Sequence, residues 1–312
     1  MVSLRKWNVN SFDFVAAYLN ANINEEVWVR PPDALDIPKG FGCLLCKVLY
    51  GTKQAGHYSI IQKSWNNTPS TKTPLPAKCN LTTLPETATI VRPQEFISTI
   101  GAISYVATGT RPDISFAVNL LELHAKRPGD EHWKCLQHLL GYVSHTKNLR
   151  LCLCPQQISP TLDIWSDASW GGEFSWSTHG YLAQLGGCSI SWCAKKLTTV
   201  VASSCHAEFM ALGIAAMHGK WLKNLLDNIT DTAIPLRLFR DNTSAIHIAE
   251  DSLSNKRTKH SDREYFITNQ LLRDKVASLE WVSSGNMSAD IMTKPLGSVI
   301  HQRLCGQVLC SR

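Results

Sequence analysis

The chain predicts an α/β fold: a mixed five-stranded sheet with flanking helices over residues 161–296, preceded by a helical segment over residues 95–150. Three observations carry this. Strand-like runs and amphipathic stretches follow in the order three strands, helix, strand, helices, strand, helix, which gives a mixed sheet with an antiparallel leading meander. Gly186-Gly187 divides "HGYLAQLGGCSISWCAKK" into two short runs, as in a hairpin. The 312 residues are 44% apolar and 18% charged, so the chain can bury a sizeable core, and its length suits about two domains.

Residues 1–62 read as a fragment: apolar pieces, "SFDFVAAYLNA" and "CLLCKVLYG", surround the turn-rich "RPPDALDIPKG". Such a length hardly makes a self-sufficient core. Residues 63–94 are rich in Pro, Thr, Ser and Asn without apolar periodicity, and read as a linker at a boundary. In 95–150, "EFISTIGAISYVATG" has helical apolar spacing. "RPDISFAVNLLELHAKRPG" has Pro in its first turn, and "EHWKCLQHLLGYVSHT" carries a stripe of Trp133, Leu136, Leu139 and Leu140. His124, His132, His138 and His145 form no coherent metal set and read as ordinary helix residues.

Beyond residue 161, "LDIWSD" is a strand ending at Asp167, and "SSCHAEFMALGIAAMHGKWLKNLLDNI" is a long helix with a serine cap candidate. "IPLRLFRDN" is a strand ending at Asp241. "TSAIHIAED" and "TKHSDREYFITNQLLRDK" are helices, "ASLEWVSS" is a strand, and "MSADIMTK" starts a final helix. Residues 297–312 read as a tail.

The net charge is +6 and the pI about 8.7, which permits a polyanionic partner. Positive charge gathers at "KNLRL", "CAKKL" and "NKRTKHSDR". No run approaches the ~18 apolar residues of a membrane span, and the N-terminus lacks a secretory apolar run. The expected location is therefore intracellular, cytoplasmic or nuclear, without a membrane partner. The 11 cysteines are scattered and read as reduced thiols. Cys43 and Cys46 have C-x-x-C spacing, but no second pair completes a zinc site.

The chemistry lies in acidic residues at element ends. Asp167 ends the first strand, Glu208 lies in the first turns of the long helix, Asp241 ends the fourth strand, and Asp290 opens the last helix. Their separations of 41, 33 and 49 residues mean that only a fold could unite them. Four carboxylates in one pocket repel one another, and a hard divalent cation relieves that repulsion. Two ions ~3.5–4 Å apart can activate a water and stabilise the leaving oxygen of a phosphodiester. Amides would lack the charge, and histidines would select softer metals.

The words "SDASWGG", "STHGYLAQLGGCSISWCAKK", "SSCHAEFMAL", "KWLKNLL", "RDNTSAI", "RTKH" and "SADIMTKPL" stand in order over 161–296. They resemble the ribonuclease H domain of copia-type LTR-retrotransposon Pol polyproteins. "STIGAISYVATGTRPDISFAVNLL" and "PGDEHWKCLQHLLGYVSHT" resemble that family's connection segment. "FDFVAAYLNANINEEVWVRPP" and "CKVLYGTKQAG" resemble pieces of its reverse transcriptase fingers and palm.

The resemblance implies a ribonuclease H-like fold. It implies that Asp167, Glu208, Asp241 and Asp290 are catalytic and hold two magnesium ions, with manganese as the substitute. The implied reaction cuts the RNA strand of RNA–DNA hybrids and leaves 3′-hydroxyl and 5′-phosphate ends. Lys195, Lys196, Arg257, Lys259 and Arg263 are the expected phosphate contacts. Cys205-His206 departs from the family pattern as harmless drift beside an intact Glu208; the run after Lys259-His260 also departs, which bears on hybrid binding more than on metal ligation. In the polymerase part, Asp13 falls on the first palm aspartate. The second motif is missing: no Asp-Asp pair occurs in the chain. A block of the palm therefore reads as deleted, Asp13 as vestigial, and the polymerase as inactive. Two functions stay open at this level: a metal-dependent hybrid ribonuclease, and a degenerate, non-catalytic transposon remnant with at most weak nucleic-acid binding.

Overall fold

Strands β1 (Leu162–Ser169), β2 (Thr178–Leu185), β3 (Cys188–Lys196), β4 (Leu236–Arg240) and β5 (Ala277–Trp281) form one sheet in a computed structural model of the chain. Its order is β3-β2-β1-β4-β5. The first three strands pair antiparallel, and β1, β4 and β5 pair parallel. The structure describes residues 68–309, apart from residues 77–78, 80, 84, 152, 154–159, 172–175, 200, 202 and 242–262. It also describes a two-residue antiparallel pairing of Trp28–Val29 with Cys43–Leu44. Asp13, Arg257, Lys259, His260 and the short helix expected at "TSAIHIAED" lie outside the described residues.

The mixed sheet agrees with the order of elements expected from the sequence. Gly186 and Gly187 take φ of 58° and 82° between β2 and β3, the conformation that a tight two-residue hairpin demands. Helix α4, Ser204–Thr230, crosses one face of the sheet, and Ser203 Oγ caps it by accepting from His206 N–H. Leu212, Ala215 and Ala216 of α4 pack on Leu162, Ile164, Leu236 and Leu238 of the sheet, all buried. A β-carbon on Gly219 would stand 3.0 Å from Ile164 Cγ1, so glycine here lets helix and sheet approach closely.

Helices α1 (Pro93–Gly109), α2 (Ser115–Glu122) and α3 (Asp130–His145) build a second core from Phe96, Ile100, Ile103, Leu121, Leu136 and Leu139. The expected stripe of Trp133, Leu136, Leu139 and Leu140 is the buried face of α3. A buried polar knot braces this part. Arg111 donates twice to Asp113, from Nε to Oδ1 at 2.8 Å and from Nη2 to Oδ2 at 2.7 Å, and Tyr142 hydroxyl donates to the same Oδ2 at 2.8 Å. Trp192 of β3 donates its indole N–H to Ala107 carbonyl at 2.8 Å and so ties the helices to the sheet.

Three expectations are corrected. The described part of the expected 297–312 tail is not a tail: Ser298–Val308 is helix α6, and Leu304, Cys305 and Val308 pack beneath the sheet with Leu182, Ile291 and Met292. "MSADIMTK" opens no α-helix but a 3-10 turn, Ser288–Met292, and Pro295 follows within three residues. Proline disfavours helical backbone in the residue before it. The described part of the 63–94 tract is not a free linker: Leu75 is buried, Thr71 Oγ1 donates to His138 carbonyl at 2.9 Å, and Trp133 Nε1 donates to Val91 carbonyl at 2.7 Å. Irregular backbone can be held by such side-chain bonds as firmly as by a ladder. No helix among the described residues is long and apolar enough to cross a membrane.

Candidate metal centre

Parallel pairing of β1 with β4 brings the first two carboxylates together. Leu162 faces Leu236 and Trp165 faces Phe239 in register, so the same offset sets Asp167 beside Asp241 where the paired rows end. Residues alternate faces along a strand, which puts Asp167 and Asp241 on the face of the stacked Trp165–Phe239 pair, 4.2 Å between centroids. Asp290 arrives on the 3-10 turn. One ligand oxygen from each of Asp167, Asp241 and Asp290 lies within 4.8 Å of the other two, and this is the one such acidic cluster among the described residues.

A glycine makes that approach fit. Gly180 of β2 is directly opposite Asp167. A β-carbon on it would lie 2.5 Å from Met292 Cβ and 2.8 Å from Thr293 Cγ2. The turn thus rests on bare backbone. Thr293 hydroxyl donates to Asp167 Oδ2 and orients the carboxylate. Asp167 is fully buried, and its Oδ1 has no hydrogen-bond partner among the described residues. A buried carboxylate oxygen left unpaired is costly and suits a cation. The donor set is all oxygen, as a hard divalent ion requires. The residues present therefore fit a divalent metal.

Two side chains that the sequence reading passed over share the centre. Lys294 Nζ stands 3.0 Å from Asp167 Oδ2 and 2.9 Å from Asp290 Oδ1, and its side chain is 37% exposed. Arg240 is fully buried and donates from Nη2 to Glu208 Oε2 at 2.6 Å. Glu208 thus stands beside the three aspartates but outside their converging set. Burial pushes its carboxyl up to about 7, with Arg240 pulling it down and Asp167 and Asp241 pushing it further up. Burial and then the Asp167 charge raise Asp290 to about 6, with Lys294 opposing. Burial works against the Lys294 ammonium, but Asp167 and Asp290 outweigh it and hold its pKa above the usual value.

Lys195 and Lys196 lie at the same end of the sheet. Through His179 and Thr178 they align with Ala168 and Ser169, one and two residues beyond Asp167. Pairing across strands preserves the face, so Lys196 shares the face of Asp167 and Lys195 takes the other. Lys196 Nζ is 4.0 Å from the centroid of the Trp176 ring. Arg263 begins helix α5, Arg263–Arg273.

Signals for Arg240 and Lys294 were present in the sequence. Arg240 precedes Asp241 on a strand, and so must point to the opposite face, toward α4 and Glu208. Lys294 follows Asp290 by four residues, the spacing of neighbours on one helical face.

No family model matches the chain. Among curated proteins, the retrovirus-related Pol polyprotein from transposon RE2 of Arabidopsis thaliana is 32% identical over 220 residues, 69% of this chain and 15% of that protein. Secreted RxLR effector protein 161 of Plasmopara viticola is 38% identical over 129 residues, 41% of this chain and 90% of that protein. The chain thus spans about 15% of the length of the first polyprotein it matches. Among solved structures, ribonuclease H1 from the halophilic archaeon Halobacterium salinarum is 16% identical, with a TM-score of 0.33, covering 42% of this chain and 93% of that one.

Proposed function

Because the chain belongs to the family of retrovirus-related Pol polyproteins of copia-type transposons, we propose that its sheet domain cleaves the RNA strand of RNA–DNA hybrids in a reaction dependent on magnesium, for which manganese substitutes. The observation that carries this is the convergence of Asp167, Asp241 and Asp290 around the unpartnered, buried Oδ1 of Asp167. These three residues would hold the metal, with Glu208 beside them. When bound, the ion supplies an activated water and charge stabilisation at the scissile phosphate.

The chain's own residues do the rest. The end of β1 mounts Asp167 rigidly, and Thr293 fixes its orientation. Lys294 offsets the repulsion between Asp167 and Asp290 without metal, and its exposed stem lets it withdraw. Lys195, Lys196, Arg257, Lys259 and Arg263 take the phosphates, so affinity falls with salt. Contacts to the 2′-hydroxyl would mark the RNA strand. The polymerase part is inactive in this reading, because Asp13 has no Asp-Asp partner anywhere in the sequence and two-metal transfer needs those carboxylates. The reaction takes place inside the cell, where hybrids form.

One observation favours the second reading, a non-catalytic remnant: both Arg240 and Lys294 already neutralise carboxylates of the centre. Hydrolysis of a hybrid labelled on either strand, with magnesium, decides between them. Wild type should cut only the RNA strand and Asp167→Asn should not cut. Equal cutting by both would place the activity elsewhere. Binding without cutting by either would leave the remnant reading. Primer extension by this chain would overturn the inactive polymerase.

A further inference from the structure

Arg240, like Asp167, is a fully buried charge near the centre: its side chain has no exposure, and among the described residues Glu208 is its one ion-pair partner. Its Nε and Nη1 have no hydrogen-bond partner among the described residues. Strand alternation turns it toward α4 while Asp241, the next residue, faces the other side. Lys294 differs in kind. It is a point charge on a partly exposed, flexible stem, and an arriving cation can displace it. Arg240 has no route to solvent, and a guanidinium does not deprotonate in proteins.

We infer that Arg240 stands where a second cation would act: the centre seats one divalent ion on Asp167, Asp241 and Asp290, and Glu208 remains bound to Arg240 rather than to metal. This rests on the reading of the three aspartates as a metal seat. A second ion on Glu208 would have to break the 2.6 Å pair. It would leave a buried guanidinium without its direct ion pair, facing only the more distant charges of Asp167 and Asp241, the costly way to disrupt such a pair. It would also sit against a fixed positive charge. Arg240 is thus a positioning residue that holds Glu208, and the two-ion arrangement implied by the family resemblance gives way to one ion and one internal cation.

The test counts ions rather than turnover. Manganese binding to the full chain is measured by titration calorimetry and by paramagnetic resonance of free manganese, for wild type, Glu208→Gln, Arg240→Met and Asp167→Asn. The expected result is one ion per chain in wild type, and the same ion with affinity within about twofold in Glu208→Gln, well short of the ~10–100-fold loss that a disturbed ligand shell produces. Arg240→Met, if it folds, should free Glu208 and raise the count to two; a count of one in folded Arg240→Met would overturn the role given to Arg240. Glu208→Gln decides the matter without that variant. Two ions in wild type, or loss of the single ion in Glu208→Gln, would overturn this inference and leave the metal seat standing. No ion in wild type, or an ion retained by Asp167→Asn, would overturn the metal seat itself.

Discussion

Gly180→Ala is a one-methyl change that should damage the centre from behind. The new β-carbon would lie 2.5 Å from Met292 Cβ, 2.8 Å from Thr293 Cγ2 and 3.3 Å from the Met292 carbonyl carbon. Carbon atoms in contact settle at ~3.5–4.0 Å, so the turn must retreat by about 1 Å or β2 must bow. Neither neighbour is the free end of a long side chain. Overpacking of this kind costs ~1–3 kcal/mol. The displaced turn carries Asp290, Thr293 and Lys294, while Asp167 stays with the sheet directly opposite residue 180. Metal–ligand distances tolerate only ~0.2 Å, so divalent affinity should fall by ~10–100-fold, the range for lost outer-shell support. Urea denaturation of the metal-free chain reads the first effect and manganese calorimetry the second. Wild-type stability together with wild-type affinity would refute the close-approach argument.

Three further outcomes are expected. Gly101→Ala, in the middle of α1 with nothing within 4 Å of the added carbon, should stabilise the chain by ~0.5–1 kcal/mol in the same urea assay; a loss would show that the helix is packed differently there. Asp113→Ala strands the buried Arg111 and removes the acceptor of Tyr142, and should cost ~3–5 kcal/mol. A change below ~1 kcal/mol would match an exposed pair instead. In EDTA, stability should fall as pH rises from about 4.5 to about 7, because Glu208 and Asp290 are raised from 4.5 and 3.8 to about 7 and about 6. The folded chain then binds more protons than the unfolded chain across that window, and their contribution, on the order of 3 kcal/mol for each group, is lost on deprotonation. Urea midpoints at both ends read it, and a midpoint that rises with pH would contradict the burial of these two groups.

Much of the sheet domain could be read from residue patterns because its signals are local. The glycine pair marks its hairpin, the serine marks the start of α4, and strand-like runs end in aspartates. The common offset between β1 and β4 is also a sequence quantity, and it sets Asp167 beside Asp241 once parallel pairing is granted. What stayed hidden depends on how elements lie on one another. The pairing of Arg240 with Glu208 follows only when α4 is known to cross the face that Arg240 points to. The role of Gly180 appears only when the 3-10 turn is seen resting on it. Helix α6 carries His301, Leu304, Cys305 and Val308 at helical spacing, but a pattern of four positions over a short segment is weak evidence for a helix until the sheet it packs against is known. The 63–94 tract has no periodicity to read, since its order comes from single hydrogen bonds to α3 and its surroundings.

The central claim is that Asp167, Asp241 and Asp290 are a divalent-metal seat. Anomalous diffraction from crystals of the full chain grown with manganese tests it most directly. The account requires a peak in bonding contact with oxygens of all three aspartates, with the Lys294 ammonium withdrawn from Asp167. A centre without a peak, with Lys294 still paired to Asp167 and Asp290 at saturating manganese, would contradict it.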